Sequence, residues 1–483
     1  MEVLITVLLL GFSWLILHKP KRTPRVSGNS VNQTHISTQK PVIEQPKKLN
    51  VERQDISGLT LSDEQQKIFD IIESTKESMY ITGKAGTGKS VLLEYFVKNT
   101  AKAAAVVAPT GVAALNVGGQ TIHSFFKLPP EVIDPAQVQV DYKTRELLRH
   151  VDVIVIDEVS MVRVDLMAAI DAKLQIANRN KLPFGGVQVV MFGDLYQLPP
   201  VVTDGELQRY FAHTYGGAYF FNAPVFKSLN LKIYELTNIF RQKDPHFREL
   251  LNSIRNRTNL EVALSQFNER VNVPIPDSGF ITLAGHNAAV SAINHAKLSQ
   301  LSGIERTYEA EISGDITASS YPTEKLLKLK VGAQVMMLKN DQKKPARWVN
   351  GTLGVITQLT ANVVRVNIDG VEHSVNKETW EKVRYFYDPE EQKLEKETVS
   401  SFTQLPMRLA WAITIHKSQG QTYESVAIDL SDGAFAHGQA YVALSRCKSL
   451  EGLYLHAPIR EQDIIIDQEV IDFMSKAVVV DNV

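Results

Sequence analysis

At 483 residues the chain exceeds what a single hydrophobic core supports, so about two to four domains are expected. With 44% hydrophobic and 22% charged residues it has the make-up of an ordinary globular protein, and its formal net charge of −1 neither requires nor excludes a polyanionic partner. The single cysteine, Cys447, excludes an intrachain disulfide framework and a multi-cysteine zinc site.

Residues 3–17 are apolar and uncharged, and Lys19, Lys21, Arg22 and Arg25 follow at once. The run is slightly short for a span of about 20 residues, and its charge order is the reverse of a secretory signal. A membrane anchor over residues 1–18 is expected, with the catalytic part in the cytoplasm. An interfacial segment and a mis-assigned start codon are the alternatives. Residues 19–58 are rich in Pro, Ser, Thr, Asn, Gln and Lys and read as a disordered linker.

Folded structure is expected from residue 59. Ser62 reads as a helix cap with Gln65 in the capping-box position, and Ile68, Phe69, Ile71 and Ile72 mark the apolar side of the helix that follows. A short apolar strand at 79–81 then runs into Gly83, Lys84, Ala85, Gly86, Thr87, Gly88, Lys89 and Ser90, a complete G-x-x-x-x-G-K-S pattern ahead of a helix. Glycines there let backbone amides curl around an anion, and the helix N-terminus points at the same anion. Lys89 is placed to reach the outer phosphates of a nucleoside triphosphate and Ser90 to hold Mg²⁺.

A strand at 103–108 leads to Thr110, and a turn at 118–120 leads to His123 and Ser124. Such positions, after the carboxyl ends of strands, are where parallel α/β sheets bind ligands. Residues 127–148, with Pro129, Pro130 and Pro135, read as a small irregular insertion rather than core. The run 151–159 ends in Asp157 and Glu158. Two adjacent acids at the end of a buried strand need a cation. Given the upstream glycine-rich loop, that cation is Mg²⁺, held by Asp157 through water, while Glu158 takes the proton of the attacking water. A strand at 187–192 ends in Asp194 and Gln197, which read either as a sensor of the γ-phosphate or as a turn capped by Asp194.

A second α/β unit is expected from residue 231, with a strand at 231–236, helices at 244–255 and 287–298, and a strand at 280–283. Residues 331–399 change character: short alternating strands separated by turns such as Asn350-Gly351 and Asp369-Gly370 indicate an inserted all-β module. The α/β pattern resumes at 409–456, where the segments 414–422 and 441–446 stand out.

Taken together, 83–90, Asp157-Glu158, 193–200, 414–422 and 441–446 resemble superfamily 1 helicase motifs. The stretches 108–114, 121–126, 183–188 and 349–352 make the chain similar to the PIF-type (petite integration frequency) helicases of superfamily 1B, related to the RecD-like group. The resemblance covers residues 61–458 and not 1–58. It implies an α/β fold of two RecA-like domains, at 59–230 and 231–470, with a wedge insertion at about 127–148, an SH3-like insertion at about 305–400 and a tail at 471–483. It further implies that Gln65 reads adenine, that Gln197 couples the γ-phosphate to DNA, and that Arg241 and Arg446 act as arginine fingers. Thr110, His123, His416, Lys417 and Ser418 match positions that touch DNA, with Phe125 or Trp411 as stacking or core residues. The implied activity is ATP- and Mg²⁺-dependent 5′→3′ movement on single-stranded DNA with unwinding of duplex or structured DNA, by a monomer. The alternative from a different class is a membrane-tethered P-loop ATPase acting as a switch or scaffold.

Overall fold

The computed structural model describes residues 60–479 apart from 203, 277–279, 342, 344–346, 349, 362 and 389–392. The expected anchor and linker lie outside these residues. No helix among the described residues is long and apolar enough to cross a membrane.

The first sheet is seven-stranded and parallel. Its order across the sheet is Val478–Val479, Lys232–Leu236, Met79–Gly83, Gln188–Phe192, Val153–Ile156, Ala104–Ala108 and Gln120–Thr121. Its central strands are buried along their whole length, as sheets covered on both faces require. One face packs against Ile68, Ile72, Leu92 and Phe96 of the helices Asp63–Ser74 and Lys89–Asn99. The other packs against Leu166, Met167, Ile170 and Leu174 of the helix Val164–Asn178. The capping box at Ser62 and Gln65 forms as expected, with each backbone N–H donating to the other's side chain.

The second sheet holds four parallel strands in the order Ala412–Thr414, Ile281–Ala284, Val426–Asp429 and Leu453–Leu455. The β module is a five-stranded antiparallel sheet spanning Gln334–Met337 to Met407–Leu409, with its own core of Val335, Trp348, Ile356 and Val366. The strands Glu378–Asp388 and Lys393–Gln404 leave that module as a long hairpin. Tyr385 on the hairpin enters the first core, where it packs edge-on against Phe125, and its hydroxyl accepts from the Val106 amide at 3.3 Å.

Three expectations change. The strand Lys232–Leu236 belongs to the first sheet, paired with the whole of Met79–Gly83, so the second unit begins after Leu236. A short apolar parallel strand reads alike for either sheet. Residues 127–148 are not peripheral: Leu128, Ile133, Val140, Leu147 and Leu148 are buried in the first core. Asp141 caps the helix Tyr142–Arg149, which the nearby prolines disguised. The expected tail also folds. Val470 and Met474 of the helix Gln468–Met474 are buried, and Phe473 stacks on Phe221 at 4.2 Å and 9°. From there Val478–Val479 joins the first sheet beside Lys232–Leu236.

Candidate active site

The glycine-rich loop connects the strand Met79–Gly83 to the helix Lys89–Asn99. Gly86 and Gly88 sit at φ +85° and +78°, in the left-handed region. A Cβ on Gly86 would lie 2.4 Å from the Arg241 Cβ, and one on Gly88 would lie 2.4 Å from the Gln65 Nε2. No side chain caps the helix, so its first-turn amides keep their capacity for an anion. Lys89 donates from Nζ to the Gly83 and Lys84 carbonyls at 2.5 and 3.2 Å, and burial lowers its pKa. The Ala85 amide donates to the Tyr441 hydroxyl at 3.1 Å, a contact from the second unit that sequence reading did not anticipate.

Asp157 and Glu158 follow the strand Val153–Ile156. Glu158 takes a left-handed conformation, φ 50° and ψ 44°, which costs a non-glycine residue about 1–3 kcal/mol. That turn points two successive acids into one space. Burial raises the pKa of both carboxyls, and for Glu158 the neighbouring Asp157 adds to the rise. Neither has an ion-pair partner among the described residues. Such a partly buried pair of acids suits a cation, and the Ser90 hydroxyl and the Asp157 carboxylate on one cavity wall suit the oxygen preference of Mg²⁺.

Gln197 donates from Nε2 to Asp194 at 3.2 Å, and its Oε1 accepts from the Gln419 amide at 3.3 Å. Gln419 Nε2 also lies 3.5 Å from Glu158 Oε2. Gln419 belongs to the 414–422 segment, where His416, Lys417 and Ser418 drew attention instead. Asp194 is both a turn cap and half of a buried ion pair: it accepts from the Tyr196 amide, and the Arg255 guanidinium meets it at 3.4 Å and Glu235 at 3.6 Å. Arg255 comes from the helix Pro245–Asn256 and lies over the Tyr196 ring at 3.9 Å. An arginine on an amphipathic helix gives no sequence signal of such a role. Arg255→Met leaves Asp194 buried without its cation. We expect a loss of about 3–5 kcal/mol, read from chemical denaturation; a loss below about 1 kcal/mol would remove this pair from the domain contact.

Arg446 is buried at the end of the helix Gln439–Leu444 and donates to the Val442 carbonyl at 2.8 Å, the Ser445 hydroxyl at 2.8 Å and the Gln421 carbonyl at 3.3 Å. Arg241, from the stretch joining the two sheets, donates to the Ser445 carbonyl at 3.2 Å. Burial, and then the charge of Arg446, push the Arg241 pKa down to about 9. Neither guanidinium has a carboxylate within ion-pair distance among the described residues. Two unpaired guanidiniums on one side and two unpaired carboxylates on the other match a triphosphate with its metal. Gly86–Ser90, Asp157, Glu158 and Gln197 share a cavity of about 850 Å³ with Arg241 and Arg446. Gln65 is absent from that wall. Its amide serves the capping box and donates to the Gly88 carbonyl at 3.1 Å.

A further joint between the units lies just before the Arg446 helix. The Asp467 amide donates to His437 Nδ1 at 2.9 Å, which leaves the proton on Nε2 to donate to the Leu195 carbonyl at 2.7 Å.

The expected DNA residues follow the carboxyl ends of strands in both sheets. Thr110 is exposed, and its hydroxyl caps a short helix by accepting from the Ala113 amide at 3.2 Å. His123 is partly buried, with its Nε2 unpartnered and its pKa lowered by burial. His416 is partly buried and Lys417 exposed. Ser418 is fully buried, and its hydroxyl donates to the Ile415 carbonyl at 2.7 Å, so its side chain is not presented at the surface. Phe125 is buried in the first core and Trp411 packs against the β-module core, which leaves neither as an open stacking face.

Comparison with known proteins gives consistent matches. The model for the family described as PIF1-like helicase matches residues 60–261, and that for the DNA helicase Pif1 2B domain matches 313–359. The chain is 33% identical over 432 residues to the ATP-dependent DNA helicase Pif1 of Bdellovibrio bacteriovorus, a match covering 86% of this chain and 92% of that one. Several longer relatives extend beyond the match, which covers 60% of their length. Among solved structures, Bacteroides sp Pif1 in complex with ADP-AlF4 is 40% identical with a TM-score of 0.80, covering 86% of this chain and 96% of that one. Bacteroides Pif1 bound to ssDNA is 42% identical with a TM-score of 0.63 and the same coverage. The two parallel sheets are therefore RecA-like domains.

Proposed function

Because the chain belongs to the PIF1-like helicase family, and is thus an ATP-dependent DNA helicase, we propose that it moves 5′→3′ along single-stranded DNA and unwinds duplex ahead of it. One observation carries the mechanism: a single cavity is walled by catalytic groups from both RecA-like domains. Nucleotide filling such a cavity draws the two walls together, and loss of the γ-phosphate lets them part.

In this reading the loop amides, Lys89 and Ser90 would hold the phosphates, and Ser90 and Asp157 would hold Mg²⁺, which would supply charge neutralisation for them. Glu158, its carboxyl raised in pKa by burial, accepts the proton of the attacking water. Arg241 and Arg446 spread their charge over the transferring phosphoryl oxygens. Gln197, joined to Gln419 across the cleft, reports the state of the γ-phosphate to the DNA-facing loop of the second domain. Gln65 reads adenine only after its amide exchanges its present partners. Thr110, His123, His416 and Lys417 would line the path of the strand; Ser418 acts by supporting the turn. Structures of the similar Bacteroides protein with ssDNA support a single-stranded partner.

The test compares duplexes bearing a 5′ single-stranded tail with duplexes bearing a 3′ tail, in ATP and Mg²⁺. The expected result is strand separation from the 5′-tailed substrate alone. Preference for the 3′ tail would reject the polarity, and failure on both would reject unwinding as the use of the ATP cycle.

A further inference from the structure

At the carboxyl ends of three adjacent strands of the second sheet, three aromatic rings form a ladder. His416 follows Ala412–Thr414, His286 follows Ile281–Ala284, and Phe435 follows Val426–Asp429. The His286 and Phe435 rings are 4.8 Å apart and within 16° of parallel; His416 and Phe435 are 6.4 Å apart and within 18°. Phe435 is 53% exposed and belongs to none of the apolar cores. Its backbone is held, since its amide donates to the buried Gln439 side chain at 2.9 Å. Gln439 Nε2 is itself buried without a partner. His286 precedes the helix Asn287–Gln300 but its ring does not cap it, which leaves the imidazole to stack.

An exposed phenylalanine ring beside two near-parallel imidazoles presents a flat π-surface of the kind on which a further ring stacks. We propose that the His286–Phe435–His416 ladder is a nucleobase platform, on which one base of the single strand stacks. The inference rests on the single-strand reading above and adds a contact of different chemistry from the charged ones. Every base has a π-face, so the platform is indifferent to sequence. It sits beside the exposed Lys417, which grips phosphate, so backbone and base contacts fall on neighbouring nucleotides.

Binding of a fluorescent oligonucleotide to the full chain, titrated at several salt concentrations, separates the two chemistries. Phe435→Ala is expected to weaken binding by about 5- to 100-fold with the salt slope unchanged, because stacking releases no counterions. Lys417→Ala is expected to weaken binding and reduce the slope by about one. Phe435→Trp restores the affinity. An oligonucleotide of equal length whose central residues lack bases binds wild type and Phe435→Ala alike. Equal binding of the normal oligonucleotide by wild type and Phe435→Ala overturns this inference alone, as does an equal loss on the base-free oligonucleotide. No binding by wild type overturns the single-strand reading with it.

Discussion

Glu158→Gln is expected to lower kcat for DNA-stimulated ATP hydrolysis by roughly 10²–10⁴-fold while ATP binding persists. The substitution keeps the side chain's length and volume, so the cavity wall is preserved. It removes the group able to accept a proton. The left-handed backbone at Glu158 and the adjacent Asp157 stay in place, and the Gln419 amide still finds an oxygen to approach. The Ser90 and Asp157 side chains, proposed to hold Mg²⁺, are untouched, which separates this variant from one that simply loses metal. Phosphate release in steady state and binding of a fluorescent nucleotide read the two halves of the expectation. A kcat within about threefold of wild type would move the base elsewhere, since general-base loss is far larger than that.

Arg446→Lys is expected to cost roughly 10³-fold in kcat with nucleotide affinity changed far less. The charge is kept, so a purely Coulombic role predicts little change. A guanidinium, however, donates through several fixed N–H groups. In Arg446 these reach Val442, Ser445, Gln421 and, at 3.5 Å, Ser418, which fixes the guanidinium where it lines the cavity. Lysine cannot brace itself on these four acceptors and still face a phosphoryl group. In the proposed reading the loop of the first domain holds the nucleotide, so binding and hydrolysis come apart. A thermal melt taken alongside distinguishes chemistry from misfolding. Equal losses in affinity and kcat would make Arg446 a binding residue and not a finger.

What could be read from the chain without coordinates was what chemistry fixes locally. A loop that wraps phosphate needs glycines at set spacing, so Gly83–Ser90 announced itself. Two carboxylates after a buried run are so unfavourable alone that Asp157 and Glu158 did too. Two α/β units and the β module were visible from apolar periodicity and turn residues; that the units are RecA-like came from the family resemblance. The residues that join the units were not. Arg255 is one polar position on an amphipathic helix, and its partners Asp194 and Glu235 lie 61 and 20 positions away. Tyr441 and His437 meet groups of the first domain that no local pattern pairs with them. The aromatic ladder gathers His416 with residues 286 and 435, which no local pattern in their own segments pairs with it. Residues 127–148 misled because three prolines suppress the look of regular structure while single apolar residues still reach the core.

The return of the chain's end to the first sheet restricts how the two domains can travel. The polypeptide passes outward after Leu236 and comes back near Asp467, where the Tyr219 hydroxyl donates to the Asp467 carboxylate at 2.5 Å. Beyond that point Val478 and Val479 pair with Tyr234 and Glu235, on the very strand from which the outward passage departs. A body attached at one point swivels freely; attached at two, it turns only about the line between them. The double attachment thus acts as a door frame would, so that under the proposed cycle each swing would share one axis and sideways slip would strain covalent chain.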